Sequence, residues 1–199
     1  MLDRFTHYLP LGYLYLVILG IFRETITFYQ LGINYLSYSS VMDVLLSPVA
    51  AITDHPLISG TVLVYMIFFY VFPKIVMKKA NNKYRAALLG NKKLNRDMTD
   101  EEKRKEATKH FIIGAALGLL CFFLGFGWAQ GQKTKERIND NTLKYKYKLS
   151  LNNGESKEVH LIELNSLYYF YVPKGSKNIS ISPVGSVNSL ELIDNKMLK

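Results

Sequence analysis

His110-Phe-Ile-Ile-Gly-Ala-Ala-Leu-Gly-Leu-Leu-Cys-Phe-Phe-Leu-Gly-Phe-Gly-Trp-Ala-Gln130 contains no Asp, Glu, Lys or Arg over twenty-one positions. As a helix it would rise about 31 Å, which matches a bilayer hydrocarbon core of about 30 Å. Trp128 suits an interfacial anchor at its end. Upstream, Leu57 to Val76 has the same character, with Tyr65-Met-Ile-Phe-Phe-Tyr-Val-Phe72 and no charge before Lys74. Pro73 lies near the end of that run, where a break costs least. The first block, Leu9 to Phe22, is fourteen residues long. As a helix it covers only about 21 Å, so a span there must run on through Arg23 and Glu24, with Gly32 as its end signal. The chain therefore reads as an α-helical membrane protein with spans at about 9–30, 57–76 and 110–130.

Between the first two spans, Ser40 and Asp43 have the spacing of a capping box, which opens a short helix. Its apolar run over about 40–53 is too short to cross a bilayer unaided, and an interfacial or re-entrant helix is expected. Pro48 is expected to kink or split it. A fourth full span here is the alternative. Tyr29, Tyr35 and Tyr38 suit the membrane–water interface. A second capping-box spacing, Thr99 with Glu102, predicts a helix from about residue 100 that runs straight into the third span.

The composition changes after Gly131, so residues 1–131 form the helical domain and 142–199 a small β-domain. Leu143-Lys-Tyr-Lys-Tyr-Lys-Leu-Ser-Leu151 alternates apolar and polar residues, the period of a half-buried strand. Leu143, Tyr145, Tyr147, Leu149 and Leu151 are expected inward. Lys144, Lys146 and Lys148 form a basic strip opposite, free to meet an acidic partner or lipid heads. Asn152-Asn-Gly154 signals a hairpin. Further strands are expected at 158–163, 167–172, 178–182 and 189–193, making a small antiparallel sheet, curled or closed into an open barrel. A domain of this size is marginal alone, so it is expected to lean on the helices or on other subunits.

Hydrophobic residues are 49% of the chain and the net charge is +9. The charge is uneven. Residues 74–109 hold twelve Lys or Arg against five acidic residues, whereas 31–56 hold no Lys or Arg. Beside hydrophobic helices such a run sets topology, basic side inward, and nucleic acid is the weaker reading. Residues 31–56 are then outside, and 74–109 and the amino terminus inside. For the last span Lys133, Lys135, Arg137, Lys144 and Lys146 balance the basic residues before it. The β-domain is expected outside, although docking to a cytoplasmic protein would place it inside. The first block lacks a basic n-region beyond Arg4 and a cleavage pattern, so it is read as retained.

Three sets of residues stand out. Arg23 and Glu24 are ionisable residues at membrane depth, a functional signal by default. They could line a polar path or hold a neighbouring helix, each finding its partner elsewhere. The plainer reading is that both reach the outer interface. Gly114 and Gly118, with Gly125 further along, offer a small-residue face for packing within the chain or between copies. Lys78, Lys79, Lys103, Arg104 and Lys105 in the connector could dock anionic lipid or a cytoplasmic protein. His7, His55, His110 and His160 have no metal-ligand spacing, and no nucleophile elbow, zinc-protease or phosphate-loop pattern occurs. No catalytic residue, cofactor or metal is therefore assigned. Cys121 is the sole cysteine and forms no internal disulfide. A lipid-modifying enzyme would have to be built from Asp43, Asp54, His55, Arg23 and Glu24.

Phe28-Tyr-Gln-Leu-Gly-Ile-Asn-Tyr-Leu-Ser-Tyr38 after the first helix, and Tyr168-Tyr-Phe-Tyr171 leading to Ile181-Ser-Pro183, carry a resemblance. The layout is similar to small multi-pass membrane proteins of bacterial anti-phage defence loci, such as the membrane subunit of Kiwa systems and the membrane accessory proteins of type VI-B CRISPR loci. It covers most of the chain but carries no functional residue over. It implies a homo-oligomer of the bacterial inner membrane that works with a cytoplasmic partner, as a sensor or a membrane-disturbing effector. The expectation is a non-enzymatic membrane sensor or effector; an oligomeric ion channel, with Arg23 and Glu24 at its pore, is the alternative.

Overall fold

The computed structural model describes residues 2–54, 56–79 and 99–193. Among them are four α-helices, α1 (Leu2–Tyr29), α2 (Val41–Asp54), α3 (Pro56–Lys79) and α4 (Asp100–Asn139), followed by a five-stranded antiparallel sheet. Three helices are long and apolar enough to cross a membrane, over Leu9–Tyr29, Pro56–Ile75 and Lys105–Asn139. α2, at fourteen residues, is about 21 Å long and falls short of that length.

The helix ends follow local chemistry. α1 stops where Gly32 turns left-handed, φ 73°. Ile33 N–H then donates to Phe28 O at 3.0 Å and Gly32 N–H to Tyr29 O at 3.1 Å, the paired bonds of a Schellman motif. α4 ends the same way on Asn141, φ 54°, with Thr142 N–H on Arg137 O at 3.0 Å. Both capping boxes form. Ser40 N–H and Oγ–H bond the Asp43 carboxylate at 2.8 and 2.7 Å, and Thr99 N–H and Oγ–H bond Glu102 at 2.8 and 2.9 Å.

Pro48 does not split α2; like Pro73, near the end of α3, it lies inside a continuous helix. A proline removes one N–H bond, and the remaining bonds and side-chain packing carry the helix past it. The helix that holds the third expected span, 110–130, runs on beyond it. α4 continues through the charged stretch Lys133 to Arg137 as far as Asn139, because those residues are good helix formers and the next stop signal is Asn141.

The chain forms two compact units, Met1–Pro48 with Phe123–Lys199, and Val49–Phe122. In the second, α3 and the first part of α4 run antiparallel. Tyr65 Oη donates to Ala115 O at 2.8 Å, and the Phe111 ring lies 5.8 Å from that of Phe72.

The first unit holds the sheet, β1 (Tyr147–Leu151), β2 (Ser156–Leu164), β3 (Tyr168–Pro173), β4 (Ser180–Pro183) and β5 (Val187–Leu192), in the order β4-β3-β2-β1-β5. Four strands form a meander and the fifth returns to the free edge of β1. Alternation along β3 sends residues to two cores. Phe170 packs with Phe28, Tyr35 and Val44, and Val172 packs with Ile138 and Leu143. Tyr171 joins Leu149 and Val159 on the other side. The sheet thus leans on α1 and on the end of α4.

The five alternating residues 143–151 do not line one face. Tyr147, Leu149 and Leu151 belong to the inner core, whereas Leu143 and Tyr145 precede β1 and pack beside Ile138 and Val172. The alternation is real, but the chain enters the sheet only at Tyr147, so its first half faces the helices. Lys144, Lys146 and Lys148 are exposed. The strip is not wholly free, since Lys148 stands opposite Glu158 on β2 and Glu191 on β5, where opposite charges pair favourably.

Candidate functional site

Arg23 and Glu24 lie in the last two turns of α1. Both are buried, at 7% and 1% exposure, so neither reaches an aqueous edge as the plainer reading expected. Adjacent helix positions diverge by about 100°, yet the two side chains form an ion pair, Arg23 Nη1 to Glu24 Oε1. Ser47 of α2 makes this possible. Arg23 Nη1 donates to Ser47 Oγ at 2.6 Å and to Ser47 O at 3.3 Å, while Ser47 Oγ donates to Glu24 Oε1. Arg23 Nη2 reaches Gln130 Oε1 of α4 at 3.2 Å, and the guanidinium carbon lies 5.7 Å from the Phe126 ring centroid. One ion pair therefore ties together α1, α2 and α4.

Backbone proximity brings these groups within reach. A Cβ on Gly127 would sit 2.6 Å from Arg23 O, and one on Gly131 2.5 Å from Thr27 O. A Cβ on Gly20 would run into Val44 O. Thr27 Oγ also donates to Arg23 O at 2.8 Å and lies 3.1 Å from Gly127 O. The residues 23 and 27 of α1 meet 127 and 131 of α4 in that order, so the two helices run parallel. Gly127 and Gly131 are themselves a G-x-x-x-G pair, which the sequence reading passed over in favour of Gly114 and Gly118. Those two pack on α3: Gly118 faces the Tyr65 hydroxyl and Gly114 lies against Phe69, whereas Gly125 has nothing within 4 Å.

Burying two charges requires further hydrogen bonds to offset desolvation. Ser47 and Gln130 supply them in part. Arg23 Nε and Glu24 Oε2 have no hydrogen-bond partner among the described residues. A partly satisfied polar network is sensitive to small shifts of the helices that build it.

A second polar cluster lies four residues before Ser47 on α2. The Asp43 carboxylate accepts from Ser166 N–H at 3.0 Å and Ser166 Oγ–H at 2.8 Å, in the turn between β2 and β3. Asn165 Nδ2 of the same turn donates to Tyr38 O at 3.0 Å. Partial burial pushes the Asp43 carboxyl up, and the bonds from Ser40 and Ser166 outweigh it, leaving it below its ordinary value. Beside this turn the Tyr35 phenol is pushed well up, by burial first and then by the negative charge of Glu24. The ring of Phe28, one turn beyond Glu24, lies 4.6 Å from that of Tyr35 and 5.1 Å from that of Phe170.

Of the five groups a lipid-modifying site would need, Arg23 and Glu24 meet, Asp43 is a helix cap bonded to the sheet, and Asp54 is exposed. His55 lies outside the described residues. No group of three or more His, Cys, Asp or Glu suited to a metal occurs among the described residues. The side chains of Lys78, Lys79, Lys103 and Arg104 also lie outside them, and Lys105 is exposed. Comparison with protein-family models, curated proteins and solved structures finds no match.

Proposed function

We propose that this chain is a non-enzymatic integral membrane protein that works as a sensor or effector, its sheet reporting to the buried Arg23–Glu24 pair. One observation carries this reading. On a single face of α2, Asp43 holds the sheet and Ser47, one turn on, holds the ion pair. A ligand or partner that moves the sheet also loads the one helix turn between them. Phe28 provides a second link through α1. The likeness in layout to membrane proteins of phage-defence loci adds self-association, a partner protein and the bacterial inner membrane to the proposal. Gly125, with open space beside it as at Gly12 and Gly60, is available for a contact between copies.

The same contacts support one side of the membrane for the sheet. Tyr35 and Phe170 share a core, so the sheet lies on the side of the segment after α1. That segment has no Lys or Arg over 31–56, against twelve over 74–109. Basic loops stay cytoplasmic, which supports a sheet on the outside and a connector free to meet a cytoplasmic partner. Cysteines at Ser156 and Ser176, with Cys121→Ala, test this in spheroplasts. Labelling by an impermeant thiol reagent is expected in intact cells. Labelling only after the membrane is opened rejects the orientation and moves the partner surface to the sheet.

A second reading, an oligomeric channel, draws on the unpartnered Arg23 Nε and Glu24 Oε2, which could meet a permeating ion or water. Planar-bilayer conductance separates the two. The sensor reading expects no steady conductance from the purified protein. A conductance altered by both Arg23→Gln and Glu24→Gln establishes the channel instead.

A further inference from the structure

We infer that the end of the sheet carrying the β2–β3 turn is itself a membrane-binding surface, seated against lipid beside the start of α2. This rests on the reading that α1 crosses the bilayer.

The depth argument starts with α1. Its apolar stretch Leu9–Tyr29 is 21 residues long, about 31 Å of helix, and fills a hydrocarbon core of about 30 Å. Its last turn is therefore level with the core boundary. Phe28 lies in that turn and touches Phe170 of the sheet. The sheet meets α1 at that level through Phe170, and its β2–β3 turn reaches further down the helix, because Ser166 is held by Asp43 and the neighbouring Val44 packs against Gly20, nine residues before Tyr29.

The sheet is also graded from end to end. Leu164, Leu167 and Val184 are exposed at 44%, 46% and 37%, and Val184 N–H donates to Leu167 O at 2.8 Å. Hydrogen bonds from Asn165 to Tyr38 and from Ser166 to Asp43 set them next to Leu36, Val41 and Met42, which are exposed too. The segments 25–42, 164–173 and 178–190 contain no charged residue; of the two carboxylates that flank the β2–β3 turn, Glu163 and Asp43, the latter is taken up by hydrogen bonds from Ser40 and Ser166. The end carrying the β3–β4 turn holds Glu158, Lys174 and Lys177, with Lys174 Nζ on the Glu158 carboxylate. Lys177 Nζ donates to Asn139 O at 2.7 Å, at the tip of α4. That tip is eight residues past Gly131, the position level with Thr27, and so lies about 12 Å further out along the helix. The lysine-bearing end faces away from the bilayer and the apolar end points to it. Six exposed apolar side chains continuous with a spanning helix fit lipid.

The test uses single cysteines in the Cys121→Ala background carrying an environment-sensitive dye, in vesicles with and without brominated acyl chains. Leu14→Cys, on the exposed face of α1, reports the spanning reading. Leu167→Cys and Val184→Cys report the inference, and Ser176→Cys marks the far end. Bromolipid quenching at 167 and 184 is expected to reach at least half that at 14, with none at 176. Quenching at 14 but no more at 167 and 184 than at 176 overturns the inference and leaves the spanning reading intact. Absence of quenching at 14 removes both. A blue shift at 167 that grows with protein density, without bromine quenching, overturns it in favour of a second copy on this surface.

Discussion

Asp43 and Ser47 are one helical turn apart on α2, and each holds a different part of the molecule. Asp43 accepts from the backbone and hydroxyl of Ser166 at 3.0 and 2.8 Å; Ser47 accepts from Arg23 at 2.6 Å and donates to Glu24. Positions i and i+4 share a helix face, so a displacement at one is felt at the other.

Removing one member of the buried pair costs more than removing both. Arg23→Leu leaves the Glu24 carboxylate buried without its cation, an expected loss of about 3–5 kcal/mol. The double variant Arg23→Leu/Glu24→Leu is expected to recover a substantial part of it. Ser47→Ala, which withdraws one hydroxyl serving both charges, is expected to cost about 1–3 kcal/mol. Thermal unfolding in mild detergent measures all three. A double variant as unstable as the sum of its singles would show that the two charges do not act as a pair.

The glycines separate by what a methyl group would meet. Gly127→Ala and Gly131→Ala press a Cβ onto backbone oxygens of α1 at 2.6 and 2.5 Å, and each is expected to cost about 1–3 kcal/mol through overpacking. Gly118→Ala meets the far end of the Tyr65 side chain, which can move, and should cost less. Gly125→Ala is expected to leave monomer stability within about 0.5 kcal/mol. Equal losses at 125 and 127 would contradict the packing described for α1 and α4.

Acid should loosen the joint between α2 and the sheet. The Asp43 carboxyl is more acidic in the folded chain than its ordinary value, so the unfolded state binds the proton more readily. Its stabilising contribution is complete above the unfolded value of about 3.9 and is lost as pH falls through the lower folded value. Asp43→Asn should start less stable at neutral pH and lose less between about pH 4.5 and 2.5. An unfolding series over that range checks it; parallel curves for the two proteins would remove Asp43 as the responsive group.

Much of this fold is legible in residue order, because the signals are local. Ser40 with Asp43, Thr99 with Glu102, and Gly32 each fix a helix end through bonds within a few residues. The hairpin at Asn152-Asn-Gly154 and the strands after it are equally local. Pro48 misleads because a proline's local penalty is outweighed by long-range packing. Leu143 and Tyr145 mislead because period alone does not say which of two cores a residue enters. Arg23 and Glu24 are visible as an oddity, but their mutual contact depends on Ser47 and Gln130, 23 and 106 residues from Glu24 in sequence. Gly127 and Gly131 were detectable as a second G-x-x-x-G pair; the choice between two such pairs needs the helix partners.

The central claim is that the sheet and the buried pair form one coupled unit, and hydrogen exchange in lipid nanodiscs tests it most directly. Glu24→Gln perturbs the pair alone. Faster exchange is predicted in the β2–β3 turn, residues 164–168, with the β1–β2 hairpin at 152–155 unchanged. If exchange rises around residues 20–28 and 44–48 while 164–168 keep the wild-type rate, the pair and the sheet are independent, and the account is contradicted.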